Sequence, residues 1–232
     1  MADTVFSLDE TLATTWEVFK KNFWRYLGLL GLTGLVIAIP SMLLAVAKIV
    51  VAKGLQQVIV MLVLTIAIAW IAMITKIGVD LACLKFLNGE KPDSNTLWKP
   101  TSITFPYLGA TILFYTAIAI GCVVLLAPGF YIYIRLQFYL YFMLEYKCGP
   151  IESLKASWYC TENSFWELVL FSLVQMFIEG VGAAILGIGA IPASMYTKLA
   201  EARAYRVLHD AAVPDLMPFA LNKERTIVGD EL

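Results

Sequence analysis

Six charged residues lie inside stretches of sequence that are otherwise apolar, and they carry most of the chain's chemical potential. Arg135 stands in the middle of an aromatic-rich run, residues 127–145. An arginine at the centre of a bilayer costs from about 3 to more than 10 kcal/mol unless it is paired or reaches water. We therefore expect these residues to form an intramembrane polar cluster. The predicted cluster consists of Arg135, Glu179, Lys76, Asp80, Lys198 and Glu201.

Arg135 has two interpretations at this stage. It can bind an anion, such as a lipid phosphate or a small carboxylate. It can instead form a structural ion pair with Glu179, an acid deep within the fifth predicted crossing. A buried pair of this kind fixes the register of two helices without binding a ligand. The structural pair is the interpretation we prefer, and the anion site stays open.

The two lysines of the cluster have acids close by in the sequence. Lys76 and Asp80 are spaced i,i+4, and Lys198 and Glu201 are spaced i,i+3. Residues at these spacings share one face of a helix, so each pair can neutralise itself. Both lysines can also extend their ammonium groups towards the membrane interface. The sequence therefore favours structural roles for both.

No catalytic or metal-binding constellation is visible in the sequence. There is no Ser/His/Asp set, phosphate-binding loop or HExxH motif, and His209 is the only histidine. The four cysteines show no metal-ligand spacing. We therefore predict no catalytic residue, no metal and no cofactor. The formal net charge of −1 gives no reason to expect a nucleic-acid partner.

The elements that must position these residues are apolar helices. Hydrophobic residues make up 60% of the chain and charged residues 15%, against about half and about a quarter in soluble domains. We predict an all-α polytopic membrane protein with six transmembrane helices as three hairpins. Amphipathic interfacial helices are predicted at residues 7–21 and 151–162. The crossings are predicted at about residues 26–50, 55–81, 105–126, 130–146, 165–188 and 192–208.

Two details of these crossings depend on proline. Pro40 either kinks the first crossing or starts a new helix, and the sequence does not decide between them. Residues 127–129, Ala-Pro-Gly, predict a tight turn between the third and fourth crossings.

An internal repeat supports the three hairpins. Trp16 and the later Phe-Trp pair ending at Trp24 are echoed by Trp158 and Trp166. Pro128 to Arg135 matches Pro192 to Lys198 within one residue, and Lys76 follows a Met-Ile-Thr run that resembles the residues before Lys198. The second, fourth and sixth crossings therefore each carry a cation at a related position.

The distribution of lysine and arginine predicts the orientation. The side that would hold both termini carries most of the cations, whereas the opposite side holds Lys48 and Lys53. The positive-inside rule therefore places both termini in the cytoplasm. We predict one membrane domain, residues 1–209, and a cytoplasmic C-terminal tail, residues 210–232.

The pattern of Asn-Phe-Trp, crossings, the run PGFYIYIRLQF, then GPIESLKASW and NSFW resembles a known membrane domain. That domain is carried by some bacterial glycerophosphoryl diester phosphodiesterases and by related uncharacterised multi-pass bacterial membrane proteins. The resemblance covers most of residues 10–208 and is most specific over residues 128–166. It implies a six-crossing domain of the bacterial inner membrane with no established chemistry. It does not imply phosphodiesterase activity, because the chain has no room for a catalytic barrel.

Two functional hypotheses follow. The first is a non-catalytic integral inner-membrane protein that organises lipid or scaffolds a membrane partner. The alternative is a small carrier or translocator of lipids or anions that uses Arg135, Lys76 and Lys198 as a polar pathway. Expected partners are membrane lipids and either another membrane protein or a second copy of the chain. An intramembrane enzyme is the weakest hypothesis, because no nucleophile and base are paired.

Overall fold

The computed structural model describes residues 6–50, 54–90, 92, 103–184 and 189–216. Within these ranges the secondary structure is entirely helical, which confirms the predicted all-α class. Residues 217–232, most of the predicted C-terminal tail, lie outside the described residues, as does Lys53. The helices are α1, Leu8–Val50; α2, Leu55–Leu87; α3, Thr104–Val124; α4, Leu126–Leu136; α5, Tyr139–Tyr146; α6, Pro150–Cys160; α7, Phe165–Ala184; and α8, Ala190–Leu216.

Four helices of the described chain are long and apolar enough to cross a membrane. Length and hydropathy are the basis of this assignment, since about 20 apolar residues span the hydrocarbon core. The four segments are Leu8–Val46, Leu55–Leu87, Thr104–Val123 and Glu162–Ala184. They cover the second predicted crossing and most of the first, third and fifth, and they are compatible with a membrane location.

The other two predicted crossings differ from these four. The fourth is not one helix, because the chain breaks at Gln137–Phe138 between α4 and α5. The sixth falls in α8, which is long but is not among the apolar helices that could cross. Charged residues such as Glu201 and Arg206 lower its hydropathy. Six crossings are therefore not established by the fold.

The first helix also departs from the sequence-based expectation. Residues 7–21 were predicted as a separate interfacial helix, but α1 continues unbroken for 43 residues, about 65 Å. No turn residue separates the amphipathic start from the apolar part. Pro40 lies inside the same helix, so it does not begin a new one.

A separate helix, α6, covers most of residues 151–162, where the second interfacial helix was predicted. Pro150 occupies its first turn, where a missing N–H group is tolerated. The N–H group of Gly149 donates a hydrogen bond to Glu152 Oε2 at 3.1 Å. This contact from the glutamate side chain to the N-cap backbone is one half of a capping box and helps to fix where the helix starts.

Three helix pairs make the most extensive contacts: α1 with α2, α3 with α4, and α7 with α8. The turn between α3 and α4 lies at Leu125, which has extended backbone, and not at residues 127–129 as predicted. Pro128 falls in the first turn of α4, where it costs no hydrogen bond. The two helices pass closely, since a Cβ on Gly121 would lie 2.8 Å from Gly129 Cα.

The buried core and the exposed apolar surface occupy different parts of the helices. The end of α2, all of α5, and much of α6 and α8 are buried. Residues 30–46 of α1 and 55–73 of α2 instead expose large apolar side chains, such as Met42 at 71% and Val58 at 63%. Apolar surface of this extent marks a membrane or partner contact. The polar residues thus cluster where the helix pairs converge.

Candidate functional site

Lys198 on α8 lies at the centre of a group of charged residues. Its Nζ atom is 2.6 Å from Glu201 Oε2, the partner that the i,i+3 spacing predicted, and 3.9 Å from Asp80 Oδ1 on α2. Asp80 is almost completely buried, at 2% exposed. This ion-pair network therefore joins α2 to α8.

Glu179 belongs to the same region through α7. Its Oε1 atom accepts a hydrogen bond from Thr197 Oγ1 at 2.8 Å, and the Thr197 carbonyl accepts one from Gln175 Nε2 at 3.0 Å. α4, from the pair α3 with α4, also packs against α7. Helices from all three pairs therefore meet here. We call the set Lys76, Asp80, Glu179, Lys198 and Glu201 the charged junction.

The charged junction is open to solvent on one side. The Lys198 side chain is 37% exposed, whereas the Asp80 side chain is 3% exposed. Two lysines and three carboxylates give the set a formal charge of −1 when all are ionised. The junction therefore pairs an accessible cation, Lys198, with a buried acid, Asp80.

Lys76 does not form its expected contact. Its side chain is exposed, and the ion pairs among the described residues join Asp80 to Lys198 instead. A helical pair with the cation preceding the acid is the less favourable order, and α8 packs against α2 to supply a second lysine. Asp80 is thus neutralised across helices.

The contacts of Arg135 differ from those of the charged junction. It is 4% exposed, and its Cζ atom is 4.7 Å from the ring centroid of Trp158 and 5.6 Å from that of Tyr131. No ion pair between Arg135 and Glu179 occurs in the described part of the chain, so the preferred structural pair is absent. Glu179 is exposed and bonded to Thr197. The guanidinium is held by aromatic faces, which attract cations.

The backbone at Arg135 explains this position. Ser157 Oγ donates to the Arg135 carbonyl at 2.9 Å and accepts from the Phe138 N–H group at 3.2 Å. Thr161 Oγ1 also donates to the Arg135 carbonyl, at 3.2 Å. Hydroxyl groups of α6 thus satisfy the backbone where α4 ends. The α4–α5 break and the Arg135 environment are both produced by the docking of α6.

A groove runs between α3 and α6 beside this contact. It is an open groove with a volume of about 340 Å³, and all of its lining side chains are apolar or amphipathic except one lysine. We call it the α3–α6 groove. It is lined by Leu113, Ala117, Leu136, Ile151, Leu154, Lys155 and Trp158.

A second buried ion pair joins residues that are distant in the chain, so their spacing gives no signal of it in the sequence. Arg206 Nη2 on α8 lies 2.7 Å from Glu145 Oε1 on α5. Tyr205 also donates to Glu145 Oε2 at 2.6 Å, and Arg206 donates to Asn88 Oδ1 at 3.1 Å. The arrangement ties the ends of α2, α5 and α8 together. Its composition and burial indicate a structural role.

Two further residues that could have carried chemistry, His209 and Cys160, are buried and packed within the chain. His209 is buried and its Nε2 atom is hydrogen bonded to the Tyr146 hydroxyl. Burial raises the pKa of the Cys160 thiol to about 12, so this thiol is a packed side chain and not a nucleophile. No group of three or more His, Cys, Asp or Glu side chains that could hold a metal occurs in the ranges described above.

Comparisons with protein-family models, with curated proteins and with solved structures give no match for this chain. The function must therefore be argued from the charged junction, the Arg135 environment, the α3–α6 groove and the exposed apolar surface.

Proposed function

We propose that the protein is a non-catalytic, multi-pass protein of the bacterial inner membrane that organises lipid or scaffolds a membrane partner. This proposal rests on how the polar and apolar side chains are distributed: polar groups pair within the chain, and apolar groups face outward. The cross-helix ion pairs, Lys198 with Asp80 and Arg206 with Glu145, connect helices of the same chain. Large apolar side chains face outward instead, as at Met42 and Val58. Such a surface suits lipid or another apolar helix.

The proposed topology has six crossings in three hairpins, with both termini in the cytoplasm. The pairing of α1 with α2, α3 with α4 and α7 with α8 supports it. So do Trp24 and Trp166, the matched tryptophans of the repeat, which are 80% and 76% exposed. Tryptophan prefers the membrane interface, so these two positions mark one interface in this proposal.

Labelling of single added cysteines tests the topology. Lys53→Cys should react with a membrane-impermeant maleimide added to intact spheroplasts, whereas Lys21→Cys should react only after the membrane is opened. Both variants are made in a background in which the four native cysteines are serine or alanine. The opposite pattern would reverse the proposed orientation.

Purification in a mild detergent tests the function itself. Native mass spectrometry and crosslinking should recover the protein with tightly held phospholipid, with a reproducible membrane-protein partner, or with both. A chain that retains neither, while its helical circular dichroism is intact, would rule out the proposal.

A small carrier is the second candidate, and the charged junction is the observation that favours it. Lys198 is 37% exposed beside carboxylates from more than one helix, and polar groups of this kind line ion and proton pathways in membranes. Arg135 has aromatic partners instead of these carboxylates, so the pathway is proposed through Lys76 and Lys198. Proton or anion flux into reconstituted vesicles should fall when Lys198 is changed to Met. Flux equal to that of protein-free vesicles would eliminate the carrier.

A further inference from the structure

We propose that the α3–α6 groove binds one acyl chain of an anionic phospholipid, and that Lys155 binds the phosphate of that lipid. The inference rests on the proposed lipid-organising function and deepens it by naming the site and the lipid class.

The groove has the size and the lining of a ligand site. Its cavity volume of about 340 Å³ lies at the lower end of the range of about 300–1,000 Å³ found for small-molecule sites. Leu113 on α3 and Ile151 on α6 line opposite sides, and they are 43% and 61% exposed. The described part of the chain leaves these side chains uncovered. A flexible apolar ligand would therefore remove them from water or from disordered lipid.

The location of the groove favours lipid over a soluble ligand. α3 is one of the four helices that can cross a membrane, so its outward face meets acyl chains. α6 is the short surface helix that packs across α3 and α4. The groove between them therefore combines an apolar wall from α3 with the charged side chain of Lys155 on α6, as a phospholipid combines acyl chains with a charged headgroup.

The charges around the groove select an anionic headgroup. Lys155 is an exposed lining residue one turn from Trp158. Glu152 is the only acid in α6, and its carboxylate is engaged by the Gly149 N–H group. Arg135 adds a second cation behind Trp158, since its guanidinium packs on that ring. Two cations and no lining carboxylate give a positive local field that attracts anionic lipid.

Arg135 has a positioning role in this site. Trp158 forms one wall of the groove, and the guanidinium of Arg135 lies 4.7 Å from its ring centroid. The same arginine is anchored through its carbonyl to Ser157 of α6. Arg135 therefore holds the wall in place and increases the positive potential, while Lys155 contacts the phosphate.

The experiment compares lipids with the same acyl chains and different headgroups. The full chain in mild detergent is mixed with phosphatidylglycerol and phosphatidylethanolamine in equal amounts, and native mass spectrometry measures what remains bound. The wild type should retain phosphatidylglycerol preferentially. Lys155→Gln should reduce that preference about fivefold, because one charge-assisted contact is lost. Ala117→Phe should fill the groove and remove the bound lipid of either type.

A matched control and a folding readout keep the result interpretable. Lys21→Gln removes an exposed lysine that does not line the groove, and it should behave as the wild type. Circular dichroism and thermal melting in lipid-free detergent show whether each variant is folded. If Ala117→Phe does not fold, Ala117→Leu tests the same filling with a smaller side chain.

The outcomes separate this site from the general function. Bound phospholipid that is unchanged in both Lys155→Gln and Ala117→Phe would overturn the site and leave lipid organisation standing. Loss of lipid in Ala117→Phe without a change of headgroup preference in Lys155→Gln would overturn the anionic assignment. A protein segment crosslinked within the groove would overturn the lipid occupant. A wild type that holds neither lipid nor a partner would overturn the proposed function as well.

Discussion

Arg135 and Lys198 occupy matching positions in the internal repeat, seven and six residues after a proline, yet they are accommodated in opposite ways. Lys198 is partly exposed and lies between two carboxylates, at 2.6 and 3.9 Å. Arg135 is buried against the aromatic rings of Trp158 and Tyr131. The comparison shows that the repeat determines the position of the cation along its helix. The neighbouring helices, α2 in one case and α6 in the other, decide how its charge is stabilised.

The largest effect is expected at the ion-paired cation. Lys198→Met would leave the buried Asp80 without its cross-helix partner, and breaking a buried pair destabilises a protein by about 3–5 kcal/mol. Because Lys198 is 37% exposed, we expect a loss near the lower end, about 3 kcal/mol. Unfolding in mixed micelles with increasing dodecyl sulfate measures it. Lys76→Met is the control and should change the free energy of unfolding by less than about 0.5 kcal/mol. Equal losses in both variants would contradict the assigned pairing.

Close packing of the two helices should contribute similarly to stability in the two helix pairs that carry these cations. A Cβ on Gly182 would lie 2.7 Å from the Gly189 carbonyl oxygen, and one on Gly121 would lie 2.8 Å from Gly129 Cα. Gly182→Ala and Gly121→Ala should each lower the free energy of unfolding by about 2 kcal/mol, since backbone must move. Gly180→Ala is the control, because nothing lies within 4 Å of its Cβ position. If all three variants have the same free energy of unfolding, the close contacts of α7 with α8 and of α3 with α4 would be contradicted.

A smaller loss of stability is expected at Arg135, whose guanidinium packs against aromatic rings. Trp158→Leu removes the nearer aromatic face from Arg135, and a desolvated cation–π contact contributes about 1 kcal/mol. The same micelle unfolding measures the change. Trp166→Leu removes a tryptophan that is 76% exposed, and in detergent it should leave the unfolding curve in place. A loss as large as that of Lys198→Met would mean that Arg135 depends on more than this ring.

The smallest effect concerns the thiol next to the Arg135 environment and needs no substitution. Burial raises the pKa of Cys160 to about 12, so the unreactive thiol form persists through neutral and mildly alkaline pH. Alkylation of Cys160 in the folded protein should therefore stay slow from pH 7 to pH 9 and become fast only after unfolding. Peptide mapping after iodoacetamide treatment measures the modified fraction. Fast modification at pH 8 would show that α6 opens beside Arg135.

The sequence predicts the part of the molecule that depends on local pattern. Long apolar runs give α2, α3 and α7, and the i,i+3 spacing gives the contact of Lys198 with Glu201. The partner of Asp80 depends on the packing of α8 against α2, which lies more than a hundred residues away in the chain. Nothing in the residue pattern ranks Lys198 above Lys76 for that contact.

The Arg135 environment could not be predicted for a related reason. Gln137 and Phe138 are not helix breakers, so the end of α4 is invisible without α6. The turn at Leu125 was expected two to four residues later because proline and glycine were taken to form the turn, whereas both lie inside α4. The nearer aromatic partner, Trp158, lies on another helix and carries no spacing signal, whereas Tyr131 stands four residues before Arg135 on α4. The prediction of a carboxylate partner for Arg135 was wrong on that account.

The hydroxyl of Ser157 has a consequence for the order of events during biosynthesis. Ser157 follows α4 and α5 in the chain, so it emerges from the ribosome after both of them. Until then the Arg135 carbonyl lacks the groups that satisfy it at the break, and hydrocarbon penalises an unsatisfied carbonyl. Residues 126–146, drawn as one straight helix, would reach about 32 Å. In the proposed six-crossing topology, we therefore expect this segment to enter the bilayer unbent and to bend when α6 arrives.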